Sequence, residues 1–596
     1  VTVDSSSAAR RTELPSTSGA LLRRTVRRQR GRVAGSAALV TVWQIAELMV
    51  PVLIGVVIER GVVTGEVDQM LLWGGVLALH FVVLSYSYRF GARWGFRALQ
   101  AESHALRTEV SAHMLSPRGA RPDRLPGDVL ALATADAESV ATVLRQLTFT
   151  VAGGVGLLVS AAVLAAIDVV LAALVLVGVP LVLAVTQGAA PRLTRRSEAR
   201  QEALGGATGL AADFVRGLRP LKGIGAEDHA LARYRRQSRQ AADASIGAAG
   251  WEGAVQGLTA GLSGLFLAAV ALVAGLRALD GGLGIGEFVA VVGISQFLGE
   301  PLRMLTYLLT QVAQSRASAA RIVSFLATPP LVLAPDPDGV TAENADPGAA
   351  ADPALRGPRA APDLRLEAVH HGSLAGLDLV FEPGRLVAVV AEDPSDAAAL
   401  MALLRAEAVP THGSVLLEGA VLTSWPVDRL QEMLLVADHH VDLFEGTLLT
   451  NLDPRGELSD DGLRRVLTAS AADQLVSAAG AGLAEPVGAD GTTLSGGQRQ
   501  RLGLARALAA DAPLLVLHDP TTAIDAVTET MVAEGLWRLR HGPERTAERT
   551  TVVVTGSPAL LARADVVVHV RGGRAVATGR HAVLVSSADY REAVLR

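Results

Sequence analysis

The chain has 596 residues, too many for one ordinary domain, and a mean hydropathy of +0.35, high for a soluble protein, so a membrane part joined to a soluble part is the natural division. A formal charge of -5 at pH 7 argues against a large nucleic-acid footprint, and the lack of cysteine excludes disulfides, thiolate metal sites and a cysteine-peptidase module. Lys222 is the sole lysine; with Ala, Val, Leu and Gly abundant, this bias toward arginine points to a GC-rich bacterial gene.

Residues 1–32 form a polar and then basic arm (Arg23, Arg24, Arg27, Arg28, Arg30, Arg32) without the pattern of a cleaved signal peptide. Six apolar stretches follow at roughly 34–58, 70–90, 139–166, 169–190, 244–276 and 285–308, each able to cross roughly 30 Å of hydrocarbon. Arginines crowd the arm and the connections after the second and fourth stretches, whereas the turns near Glu66, Asp168 and Asp280 are short and acidic. The positive-inside bias therefore predicts cytoplasmic termini and two long cytoplasmic connections built as helical rods. Polar residues punctuate the spans: Gln44, Glu47, His80, Glu252, Gln256, Gln296, Glu300 and Arg303. Ionisable groups at such depth face a bundle interior or a wet cavity, which makes Glu47 and Glu300 candidates for contact with a passing substrate. Pairing between helices, as of Glu300 with Arg303, is the alternative, and Glu252 is expected below the bilayer.

Residues 327–362 are rich in Pro, Ala, Asp and Gly without apolar periodicity, a linker rather than a packed element. Residues 363–596 change character: Leu386–Val390, Leu514–Leu517 and Val552–Val554 are apolar strands separated by helical stretches, which predicts a largely parallel sheet. Such sheets bind nucleotides beyond the carboxyl ends of their strands. Leu494, Ser495, Gly496, Gly497 and Gln498 precede a strong helical run from Arg499 to Leu508, and Pro520 to Asp525 follows the second strand. Where the phosphate-binding pattern GxxxxGK[ST] is expected, after the first strand, residues 391–398 read AEDPSDAA.

Six spans, a linker and this order of segments resemble an ABC transporter half of the exporter type over nearly the whole chain. The fold class implied is a multi-domain membrane protein: an all-α six-span transmembrane domain (33–326), then an α/β, P-loop-NTPase-like nucleotide-binding domain. The resemblance further implies two nucleotide-binding domains closing head to tail on ATP and Mg2+. Gly127 to Leu130 with Asp136, and Lys222 to Glu227, match intracellular loops of exporters, so that short helices near 111–124 and 213–221 would dock on the nucleotide-binding domains.

Applied position by position, the resemblance divides the site. On this chain's own side, Ala391, Pro394 and Asp396 replace glycines, Ala397 the phosphate-binding lysine and Ala398 the magnesium-binding hydroxyl. Glu392, Asp393 and Asp396 bring negative charge to the same loop, and Pro394 removes a donor. His518 and Asp519 stand for the magnesium-associated Asp and the catalytic Glu, His439 for the loop glutamine and Gly556 for the switch histidine; only His370 and His371 could stack on adenine. The groups that act on a neighbouring subunit's nucleotide, Leu494 to Gln498 and Asp525, are intact. The implied protein is a catalytically degenerate subunit that presents its signature segment in trans, with ATP and Mg2+ bound mainly by a second half-transporter carrying an intact P-loop, Walker B Glu and switch His. Its other partners are the lipid bilayer and a small-molecule, lipid or peptide cargo, without nucleic acid, and its place is the bacterial plasma membrane with both termini cytoplasmic. No resident metal site is assigned: His439, His370 and His371 read as surface residues and His518 as a strand-end histidine. Import through an exporter-shaped fold, as of siderophores, and a non-transporting pseudo-ATPase scaffold are the alternatives.

Overall fold

The computed structural model describes residues 15–120, 126–188, 190–335, 361–543 and 548–595; the side chains at 126, 183, 186–187, 190–194, 299–307, 309–310 and 595 lie outside that description. Two compact units result, one of Val1–Ala112 with Arg124–Ala327, the other of His113–Asp123 with Thr328–Arg596.

The first unit is helical: α1 (Ser18–Arg28), α2 (Arg30–Val57), α3 (Val67–Met114), α4 (Pro126–Ala131), α5 (Ala137–Ile167), α6 (Val169–Gly188), α7 (Ala190–Arg216), α8 (Leu218–Gly223), α9 (Glu227–Leu279), α10 (Ile285–Phe297) and α11 (Gly299–Leu326). Among the described residues, Arg30–Val62, Val67–Met114, Gly127–Ile167 and Glu227–Leu279 are long and apolar enough to cross a membrane, and Val169–Val182 and Ile285–Phe297 are shorter apolar helices. At 48 and 53 residues, α3 and α9 exceed any bilayer core, as expected of rods that continue beyond it. The stretch expected as one span at 285–308 is divided: α10 stops at Phe297 and α11 restarts at Gly299. Pro301 has no N–H for the carbonyl of Phe297, which breaks the ladder there.

Small residues set the crossing of α2 and α10. A Cβ on Gly55 of α2 would lie 2.2 Å from the carbonyl oxygen of Gly286 on α10, and the converse contact would be 2.1 Å, so backbone meets backbone. The basic arm has a structural task as well. Arg24 of α1 forms a two-pronged ion pair with Glu109 of α3 at 2.9 and 2.7 Å, and the fully buried Glu102 accepts from Thr25 and Gln29. A wide turn at Leu132–Asp136 leads into α5, and Asp136 accepts from Arg321 Nε on α11 at 2.9 Å.

The second unit holds β1 (Leu364–His371), β2 (Leu374–Phe381), β3 (Leu386–Ala391), α12 (Pro394–Leu404), β4 (His412–Leu417), β5 (Ala420–Val421), α13 (Val427–Met433), β6 (Leu434–Ala437), β7 (Gly446–Thr447), α14 (Leu448–Leu452), α15 (Asp460–Ala469), α16 (Asp473–Ala478), β8 (Pro486–Val487), α17 (Gly496–Ala509), β9 (Leu514–His518), α18 (Ala526–His541), β10 (Thr550–Val554), α19 (Pro558–Arg563), β11 (Val566–Arg571), β12 (Arg574–Gly579), α20 (His581–Leu584) and α21 (Ala588–Leu595). The main sheet has the order β12-β11-β3-β10-β9-β6, parallel except for the antiparallel edge strand β12. β10 is buried along its whole length, which is why its sequence is a continuous run of β-branched residues. A second, antiparallel sheet, β2-β1-β4-β5, shares a core with α12 and one face of the main sheet, and α17 and α18 help to cover the other face.

Residues 113–120 belong physically to this unit. Val332 donates to the Arg118 carbonyl at 2.8 Å, Leu331 to that of Gly119 at 3.3 Å, and Gln431 Nε2 reaches the Pro117 carbonyl at 3.4 Å. The second expected docking helix, α8, buries none of its side chains within the first unit.

Candidate functional site

Three main-sheet strands, β3, β9 and β10, end where the sequence places chemistry. β3 pairs through Ala391 with Val570 of β11, and after two residues α12 begins at Pro394. Asp393 caps that helix: its Oδ1 accepts from Ser395 N at 2.8 Å, while its carbonyl accepts from the N–H groups of Asp396 and Ala397 at 3.0 and 3.4 Å. The Ser395 N–H holds the exposed Asp393 carboxyl below its usual range. Pro394 contributes no donor, so the first-turn N–H groups that would receive an anion are already bonded within the chain.

The other two carboxylates of this loop are engaged by neighbouring strands, and Asp396 is buried. Asp396 is 2% exposed and accepts from Gly573 N at 3.0 Å, so its charge lies on the turn between β11 and β12 rather than in the loop mouth. Glu392 Oε1 lies 3.0 Å from Nε2 of the buried His569, and Oε2 lies 3.4 Å from Arg571. The charge expected to repel phosphate is therefore concentrated at Asp393, and the other two acids pin the loop to its neighbouring strands. Ala397 is buried where a lysine is expected, and Ala398 is exposed.

β9 ends at His518, in register with Val554 of β10. Asp519 follows in the left-handed region (φ 44), its N–H bonded to the Val554 carbonyl at 2.9 Å. His518 Nδ1 lies 3.1 Å from Oδ1 of Asp438, and His439 Nδ1 lies 3.1 Å from the same oxygen. Asp438 and its partner Arg405 are participants that the sequence reading missed; the acid adjoining His439 was the available signal. Gly556 has open space around it, and His370 meets His412 edge to face at 5.7 Å between centroids.

On the other side stands α17. Ser495 caps it reciprocally with Gln498: Gln498 N donates to Ser495 Oγ at 3.3 Å, and Ser495 N donates to Gln498 Oε1 at 2.8 Å. Because Oγ accepts this bond, its own O–H remains to donate outward. Ser495 and Gly496 are exposed, and a Cβ on Gly497 would meet the Ala523 carbonyl oxygen at 2.6 Å, so glycine is needed there. Gln500, 6% exposed, donates to the Asp519 carbonyl and Thr522 Oγ1 and accepts from Ala523 N, locking the helix to the loop after β9. Asp525 caps α18 through Val527 N and Thr528 N, and the Thr528 bond lowers its carboxyl below the ordinary range.

In the helical unit, Glu47 is half-buried on α2, whereas the side chains of Glu300 and Arg303 lie outside the described residues. His80 Nε2 lies 2.6 Å from the Ala46 carbonyl oxygen. A cavity of about 480 Å³ brings Arg93, Arg97 and Arg145 together with Tyr88, Phe96 and Phe149.

The model of the ABC transporter transmembrane region matches residues 35–302, and the ABC transporter model matches residues 374–522. The chain is 29% identical over 397 residues to the ATP-dependent lipid A-core flippase of Chromobacterium violaceum, a match covering 66% of this chain and 65% of that relative, just under two thirds of its length. Against the flippase of the same description from Thiobacillus denitrificans, identity is 28% over 554 residues, 91% of each protein. A solved bacterial Atm1-family ABC exporter with ATP bound shares the fold, with a TM-score of 0.76 at 21% identity over 95% of this chain and 99% of that one.

Proposed function

The chain belongs to the ABC transporter family as a half-transporter of exporter type, and from that premise we propose that it is the hydrolytically silent subunit of a heterodimeric, ATP-driven exporter. Its membrane domain would span 33–326 and its nucleotide-binding domain 363–596, joined by the 327–362 linker, with that domain and both termini on the cytoplasmic side of a bacterial plasma membrane.

The observation that carries the reading is the β3–α12 turn. Its donors are consumed by Asp393, a proline stands among them, and the chain's one lysine is Lys222 in α8. The residues present do not fit a triphosphate. The amino terminus of α17 does fit one: Ser495 offers a hydroxyl, Gly496 and Gly497 allow close backbone approach, and the helix dipole favours negative charge. Mg-ATP held by the partner subunit supplies the phosphoryl group that is cleaved. Leu494 to Gln498 would position its terminal phosphate, Gln500 would hold that helix against the loop after β9, and Asp525 would keep the 520–525 loop in place. Arginines and aromatics around one cavity support an amphipathic anion as cargo, in agreement with the lipid named for the relatives.

The test is ATPase activity of the reconstituted pair. Replacing the catalytic glutamate of the partner subunit by Gln abolishes turnover, whereas Asp519→Asn in this chain leaves it intact. Turnover by this chain alone that Asp519→Asn abolishes would overturn the reading.

A further inference from the structure

Asp438, His439 and His518 are the one group of three or more potential metal ligands that close together among the described residues, with a ligand atom from each within 4.8 Å of the others. They come from two places in the chain. Asp438 and His439 follow β6, and His518 ends β9, the strand beside it in the sheet. Both Nδ1 atoms lie 3.1 Å from Asp438 Oδ1, and the rings stand edge to face, 82° apart with centroids at 5.0 Å, so their nitrogens converge without the rings stacking. The other carboxylate oxygen, Oδ2, is held by Arg405 at 2.5 Å, which fixes the plane of the carboxyl group.

Ligands at 2.0–2.1 Å around a tetrahedral zinc ion are separated by about 3.3 Å, close to the two nitrogen-to-oxygen gaps of 3.1 Å, and the two imidazole nitrogens need only draw to that spacing from within 4.8 Å. Two imidazoles and one carboxylate are a poor set for Mg2+, which demands oxygen, and a good one for Zn2+, Ni2+ or Co2+. His518 is largely covered, whereas the His439 side chain is 58% exposed and leaves a solvent route to the group.

We propose that Asp438, His439 and His518 bind one divalent transition-metal ion of the zinc class, with water completing its shell. The ion would fasten the segment after β6 to the end of β9. This site takes no ATP and needs no partner subunit, so it does not depend on the trans reading above.

The experiment uses the full-length, tag-free chain in detergent, stripped of metal and without nucleotide. Calorimetric titration with Zn2+ yields one saturable site per chain, and Co2+ gives a visible spectrum of nitrogen and oxygen ligation, free of thiolate bands because the protein has no cysteine. His439→Asn and His518→Asn each weaken Zn2+ binding at least tenfold, while His370→Ala, at the other histidine pair, leaves it unchanged. Millimolar Mg2+ does not displace the ion. His439 is exposed, so its variant keeps the fold and decides the matter even if the His518 variant melts early. Absence of a saturable site, equal affinity in the His439 variant, or displacement by Mg2+ overturns the proposal. None of these outcomes bears on turnover of the heterodimer, and loss or retention of that turnover does not bear on the metal.

Discussion

Ser495 provides the most discriminating substitution, because its hydroxyl has two separable duties. As acceptor it caps α17 through Gln498 N, and as donor its O–H faces outward. Ser495→Ala removes both, and loss of such a cap costs about 1 kcal/mol of stability. Ser495→Gly also removes the hydroxyl, but glycine is tolerated at an N-cap at a cost of only a few tenths of a kcal/mol. A hydrogen bond to a charged group has a net worth of about 1.5–3 kcal/mol, which translates into a roughly 10- to 150-fold loss of turnover when the donor disappears. The two variants are therefore expected to differ in melting temperature and to agree in activity. ATPase activity of the pair in proteoliposomes, read beside thermal unfolding of each variant, separates the two effects. If Ser495→Gly turned over like the parent, or if activity followed the melting temperature across the two variants, a phosphate-directed role for this hydroxyl would be refuted.

Asp396→Ala should destabilise the nucleotide-binding unit by about 1–3 kcal/mol, because the Gly573 N–H loses its buried acceptor, and should not create ATP binding; denaturant unfolding and a nucleotide filter assay check both halves. Burial pushes the Tyr590 hydroxyl up to about 12. Its folded pKa lies above the unfolded value, so this contribution is complete below about pH 10 and is lost as pH rises toward 12. Tyr590→Phe should flatten the alkaline side of the melting-temperature profile. Asp438 has the opposite sign: its folded pKa is depressed, so its contribution is present above the unfolded value near 4 and fades as pH falls below it, a slope that Asp438→Asn should reduce in acid melts. Gly55→Ala should cost about 1–3 kcal/mol by forcing α2 from α10, whereas Gly74→Ala, with open space around it, should be neutral in the same detergent melts.

The apolar strands β3, β9 and β10 and the start of α17 were readable from the chain because their signals are local: a run of buried β-branched residues, or a serine ahead of two glycines and a helical stretch. The same holds for four of the membrane-crossing helices. Less local features escaped. Asp393 before Pro394 carries a cap-then-proline signature that its more obvious negative charge obscures. The inward turn of Asp396 depends on Gly573, which lies 177 positions away, and nothing near Asp396 announces it. The Asp438 cluster needs His518, which the pairing of β6 with β9 brings beside it, and Arg405 from the end of α12, three segments far apart in the chain. The break between α10 and α11 could have been anticipated at Pro301, which stands among the polar residues Gln296, Glu300 and Arg303.

The strap at 113–120 has a practical outcome for anyone dissecting the molecule. Cutting the polypeptide ahead of Thr328 would strip the nucleotide-binding half of a borrowed ribbon, leaving the amides of Leu331 and Val332 without the carbonyls they now meet. A fragment intended as an autonomous ATPase module would carry a frayed border from the outset. Swapping that module between related half-transporters should succeed more often when the ribbon travels with it.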